Sequence, residues 1–110
     1  MATIAANAIG CSVNALKLDP YIVDTLMPDL VGHDRQPSSF LVYLFLWRQT
    51  HELDVAQVQI GLREVAEGTG LSKRSVQDAL ARLVRRGLVG VARRSITAVA
   101  VYKVRQPWRR

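Results

Sequence analysis

The sequence predicts a mainly α fold with a small antiparallel sheet, and three observations carry that prediction. Residues 61–87 read as a helix, a tight turn and a second helix, each with its apolar residues on one side. Residues 88–104 follow as two apolar runs around a polar break at Arg93-Arg94-Ser95, the pattern of an antiparallel hairpin. Ahead of both, Phe40 to Trp47 is an unbroken run of eight apolar residues. A chain of 110 residues is the size of one domain with a single modest core.

Residues 1–18 are small and weakly patterned, and an extended arm, a short strand and a frayed terminus all fit them. Asp19-Pro20 then suits a helix start, with Asp as cap and Pro as first helical residue. Ile22, Val23, Leu26 and Leu30 recur at near-helical spacing but Pro28 interrupts them, which predicts two short pieces, roughly 20–26 and 28–32. Gly32 to Pro37 is a polar loop.

The first full helix starts at Pro37-Ser38-Ser39, with a Ser as cap, and runs to about Thr50. Its eight consecutive apolar residues go all the way round, so more than one side must be buried. The core of a small helical domain covers one side. Residues 20–32, a partner chain, or both must cover the other. Asp54 to Ile60 alternates, with Ala56, Val58 and Ile60 on one side, and reads as a half-buried strand.

In the first helix of the central unit, about 62–68, Val65 and Ala66 face inward, and the small Ala66 lets the next helix cross close by. Gly68-Thr69-Gly70 is the turn, with Gly70 where a left-handed backbone is needed. Leu71 plugs the gap between the helices and Ser72 caps the second. That helix, about 73–86, carries Val76, Leu80, Leu83 and Val84 as its inner stripe, with Ala79 at the close contact. Lys73, Arg74, Gln77, Asp78, Ala81, Arg82 and Arg85 lie outside. Asp78 is expected to pair with Arg82 four residues on, the alternative being acceptance of a hydrogen bond from cytosine. Arg85-Arg86-Gly87 stops the helix, its cations suiting the negative end of the dipole. Residues 106–110 form a basic tail in which Trp108 is expected to pack back on the domain.

Charge separates along the chain. Residues 1–60 hold three basic and six acidic residues, net −3, whereas residues 61–110 hold twelve basic and three acidic, net +9. A half this basic suggests a polyanion partner, most often nucleic acid. The single Cys11 excludes an intramolecular disulfide and fits a reducing cytoplasm. Two histidines and one cysteine, widely spaced, form no metal-site pattern, and no cofactor is implied. The N-terminus has no positive charge before Lys17, which argues against a signal peptide, and Ala8-Ile9-Gly10-Cys11 is only a faint lipoprotein-like match. The longest apolar run is far short of the roughly 20 residues that span a membrane. His33-Asp34, in a polar loop, and separately His51, Glu52 and Asp54, close together next to a helix end, read as solvated loop side chains, and no phosphate-binding glycine loop or nucleophile motif is present, so no catalytic residue is assigned.

Leu62, Val65, Ala66, Thr69, Gly70, Leu71, Ser72, Ser75 and Val76, followed by Leu80, Leu83, Gly87, Leu88 and Val89, stand at the spacings of the winged helix-turn-helix of MarR-like and GntR-like bacterial transcriptional regulators, which residues 37–105 resemble. The resemblance implies sequence-specific binding of double-stranded DNA, with the second helix in the major groove and the hairpin as a wing on backbone or minor groove. By this resemblance Ser72, Lys73, Arg74, Ser75 and Gln77 take the recognition positions, with Arg82 on the same helix and Arg93 and Arg94 on the wing. Arg reads guanine and Gln reads adenine with paired hydrogen bonds, while the serines and the helix N-terminus suit phosphate oxygens. Such regulators add an effector domain or long dimerisation helices. The present chain has no room for the first, so a homodimer would use residues 1–50, with residues 1–36 as an N-terminal helical extension. No effector is identifiable. Two other uses of such a fold are a plasmid or phage replication-initiation or partition protein, and a winged helix that binds protein. The basic C-terminal half argues against the latter.

Overall fold

The apolar run at residues 40–47 becomes the centre of the molecule. In the computed structural model, which describes residues 15–51, 55–93 and 98–108, helix α1 spans Pro37–Thr50. It begins earlier than the expected Ser cap: Gln36 holds the cap position, Pro37 fills the first turn, and the Ser39 hydroxyl donates to Gln36 Oε1 at 2.6 Å. Val42, Tyr43 and Leu46 are fully enclosed, and of the eight apolar residues only Leu41 is exposed.

What covers α1 is the chain itself. Residues 20–33 are helical throughout but wound wide, with π-helical turns at Ile22–Leu26 and Pro28–His33 joined through Met27. The expected break at Pro28 does not occur. In a regular α-helix the proline ring crowds the carbonyl four residues back and its missing N–H costs a bond. Bonds five residues back, such as Asp34 N–H to the Asp29 carbonyl at 2.8 Å, open the winding around it. Ile22, Leu26 and Leu30 are buried in the common core, and the second π turn packs on α1. Burying each such side chain stabilises the fold by about 1.5–3 kcal/mol. The all-round apolar helix therefore does not by itself demand a partner.

Helices α2 (Leu62–Thr69) and α3 (Lys73–Arg85) pack on each other and on α1. Glu64 Oε1 accepts from Gly61 N–H at 3.1 Å at the start of α2. Gly70, with φ +82°, turns the chain in the left-handed conformation expected of it. A Cβ on Gly68 would fall on the Phe45 ring, so α2 meets α1 there.

Three short strands close the fold. β1 (Val58–Gln59), β2 (Val89–Ala92) and β3 (Val101–Val104) form an antiparallel sheet in the order β1-β3-β2. Val58 and Val91 lie opposite Tyr102 from either side, and Val89 lies opposite Val104. Of the strand expected over 54–60, only Val58 and Gln59 are strand, paired with Tyr102 and Val101, and Asp54 lies outside the described residues. The long second strand expected from Ile96 is strand only from Val101, and residues 94–97 lie outside the described residues. The two ends of the described chain meet. Trp108 stacks on Tyr21 with ring centres 4.4 Å apart and donates its indole N–H to Asp19 Oδ2 at 3.1 Å, so it packs back as expected. Trp47 donates to the Lys17 carbonyl at 2.8 Å, and the Tyr43 hydroxyl to the Arg105 carbonyl at 2.9 Å. Among the described residues no helix is long and apolar enough to cross a membrane.

Candidate functional site

Helix α3 is the most basic element, and packing divides its surface into three strips. Val76, Ala79, Leu80 and Leu83 face the core. Val84, expected beside them, is 39% exposed, because the step from Leu80 to Val84 carries the stripe round the helix toward the sheet. There Leu80, Ala81, Val84 and Arg85 form one wall of an open groove whose other wall is Val91 and Tyr102. The groove separates the outer strip of α3 from the β2–β3 hairpin.

The outer strip holds three of the eight DNA-binding residues expected from the sequence. Lys73, Arg74 and Gln77 are exposed, with Asp78, Ala81 and Arg85 beyond them. Arg74 and Asp78, one turn apart, approach to 3.7 Å. Asp78 thus pairs with the arginine before it, not with Arg82 as expected. Among the described residues Lys73 and Arg85 have no ion pair. Ser72 caps the helix, its Oγ accepting from Ser75 N–H at 3.1 Å, and the two hydroxyls are themselves 3.1 Å apart. Ser75 is half-buried. Both serines therefore sit at the N-terminus of α3, engaged with each other.

The third strip faces residues 20–34. Arg82 Nε lies 4.0 Å from Asp34 Oδ2, and Arg86 contacts Asp34 Oδ1 at 3.7 Å and the Asp29 carboxylate directly. The Asp34 side chain is only 7% exposed, and among the described residues neither of the buried atoms Asp34 Oδ2 and Arg82 Nε has a hydrogen-bond partner. Two of the arginines that make the C-terminal half so basic are thus met by carboxylates of the acidic N-terminal half. Arg82 does not share the outer strip with Arg74, contrary to its expected grouping. His33 stands on the same cluster: its Nδ1 is 3.5 Å from Asp34 and 3.9 Å from Asp29, and one ligand atom from each of the three falls within 4.8 Å. Both carboxylates already face arginines. Sequence reading missed this cluster, since nothing in a local pattern brings Asp29 to Arg86, 57 residues away.

Arg93 is exposed at the end of β2 and lies beside Tyr102. Burial raises the Tyr102 pKa, and the charge of Arg93 and its hydrogen bond to the phenol oppose that shift. Beside Arg93, Gln57, Gln59 and Val99 line a second shallow depression that the sequence did not suggest. Arg94 lies outside the described residues. No protein-family model, curated protein or solved structure matches this chain.

Proposed function

We propose that this protein is a winged helix-turn-helix that binds double-stranded DNA sequence-specifically, as a bacterial transcriptional regulator acting as a homodimer. One observation carries the reading: the outer strip of α3 presents Lys73, Arg74 and Gln77 beside its N-terminus, free of the core, with a hairpin carrying Arg93 alongside. In this reading α2, Gly70 and α3 are the helix-turn-helix and β2–β3 is the wing. Arg74 and Gln77 read base edges, Lys73 and Arg85 face phosphates, and the α3 N-terminus adds its partial positive charge. The groove between α3 and the hairpin takes the sugar-phosphate strand that separates major from minor groove, with its apolar wall against the sugars. Arg82 supports the fold instead of the DNA contact, because Asp34 already faces it.

Titration with duplexes selected from a random library, at several salt concentrations, tests the proposal. Six to eight phosphate contacts by a dimer would make log K fall against log salt with a slope of roughly −5 to −7. A palindromic consensus is expected from a two-fold dimer. Absence of binding at low salt would sink the reading.

A further inference from the structure

The cations that open α3 stand at the wrong end of it for helix stability. Lys73 and Arg74 lie in the first turn, and no acidic residue accompanies them there. The N-terminal end of a helix carries partial positive charge, which favours carboxylates and disfavours cations. The single acid of α3, Asp78, comes one turn after Arg74. That order is the poorer one, since a pair four residues apart supports a helix better with the acid first. The Arg74 and Asp78 side chains are 85% and 58% exposed, and an ion pair so exposed contributes little to stability. Helix stability is therefore a poor reason for either residue.

Geometry couples the two. Residues four apart lie on one side of a helix, and side chains tilt toward its N-terminus. The Asp78 carboxylate leans toward Arg74, and its Oδ2 lies 3.7 Å from Arg74 Nε. Nε is at the flank of the guanidinium. The terminal nitrogens lie beyond it, and paired N–H groups there match the N7 and O6 acceptors of guanine. The same guanidinium suits a phosphate just as well. Lys73 and Arg85 have no ion pair among the described residues, so Asp78 singles out Arg74 from the cations of the outer strip. A carboxylate in that place repels a phosphate brought to Arg74 and leaves an uncharged base edge acceptable.

We propose that Asp78 is a positioning residue for recognition: it keeps Arg74 off the phosphate backbone and available to a guanine, lowering affinity for DNA in general and raising selectivity. The proposal rests on the DNA-binding reading above and adds to it one base of the site, the guanine that Arg74 faces. Without the Asp78 charge, Arg74 becomes one more phosphate contact, as Lys73 is in that reading.

The test uses the full chain and two duplexes, one selected by the wild type from a random library and one scrambled, of the same length and composition. Asp78→Asn should bind both more tightly at low salt, the scrambled one by more, so that the selectivity ratio falls roughly fivefold. Its salt slope on the scrambled duplex should steepen by about one for each protomer, the mark of an added phosphate contact. Arg74→Ala should lower the ratio too, and adding Asp78→Asn to it should change the ratio by less than about twofold. A ratio that Asp78→Asn leaves unchanged in the otherwise wild-type chain would overturn the proposal and leave the DNA reading standing. So would an equal fall in the Arg74→Ala background, since Asp78 would then act without Arg74. A wild type that binds neither duplex at low salt, or both alike, would overturn the sequence-specific DNA reading and this proposal with it.

Discussion

Arg82 on α3 points its Nε at Asp34 Oδ2, 4.0 Å away, and that carboxylate is almost completely enclosed. The pair fastens the end of the helical segment 20–33 to the helix that carries the candidate interface. Arg86 adds a second fastening through Asp29 and Asp34. The relationship sorts the cations of α3 into those held by the fold and those facing solvent.

Asp34→Asn should lower stability by about 1–3 kcal/mol, since it leaves the Arg82 guanidinium beside a buried site without a counter-charge and Arg86 with Asp29 alone. The exposed Asp24→Asn should change it by no more than about 0.5 kcal/mol. Urea denaturation of both variants makes the comparison. Equal effects would show that the Asp34 cluster contributes nothing special.

Arg82→Ala and Arg74→Ala should fail in different ways. Arg82→Ala should lower the unfolding midpoint and leave DNA affinity of the folded protein within about threefold. Arg74→Ala should leave stability nearly unchanged and cost about 1–3 kcal/mol of binding to the preferred duplex, with less loss on others. Parallel melting and binding curves separate the two. A larger affinity loss in Arg82→Ala would return Arg82 to the recognition set.

Asp78→Asn should strengthen binding. The carboxylate sits 3.7 Å from the Arg74 guanidinium on an exposed face, where it competes with phosphate and repels it. Removing its charge should raise affinity about two- to tenfold at low salt, with the gain shrinking as salt screens the charges. A loss confined to duplexes with cytosine at one position would mean that Asp78 reads that base.

Gly68→Ala should destabilise despite the better helix propensity of alanine. The new methyl collides with the Phe45 ring, and overpacking of this kind costs about 1–3 kcal/mol against roughly 1 kcal/mol gained from propensity. In the background Phe45→Leu the same substitution should be neutral or stabilising. A double-mutant cycle by thermal melting measures the coupling.

Alkaline pH should unfold the protein partly through Tyr43. Burial, and secondarily the charge of Asp19, pushes its phenol well above the ordinary tyrosine value near 10. A folded pKa above the unfolded one leaves the full stability in place below about pH 10 and removes it as pH climbs toward the folded value. Tyr43→Phe should flatten this fall while costing about 1 kcal/mol at neutral pH for the lost bond to the Arg105 carbonyl. Stability measured between pH 8 and 11 gives the sign.

Local signals made much of the fold legible in the sequence. Gly70, Ser72 and Gly87 mark turn, cap and stop because backbone conformation and unpaired N–H groups act over a few residues. Val76, Leu80 and Leu83 declare the inner side of α3 because burial follows helical period. The exposed side was legible in part for the same reason: Lys73, Arg74 and Gln77 lie where that period puts them. Only the tertiary structure decided the rest. Val84 is exposed and Gly68 is crowded because of where the sheet and α1 stand, and Pro28 stays within a helix because the winding widens around it. Arg82 and Arg86 differ from Arg74 only through carboxylates that fold back from residues 29 and 34. Charge along the chain is a property of composition, whereas charge free to meet a partner depends on which opposite charges folding brings within a few ångströms.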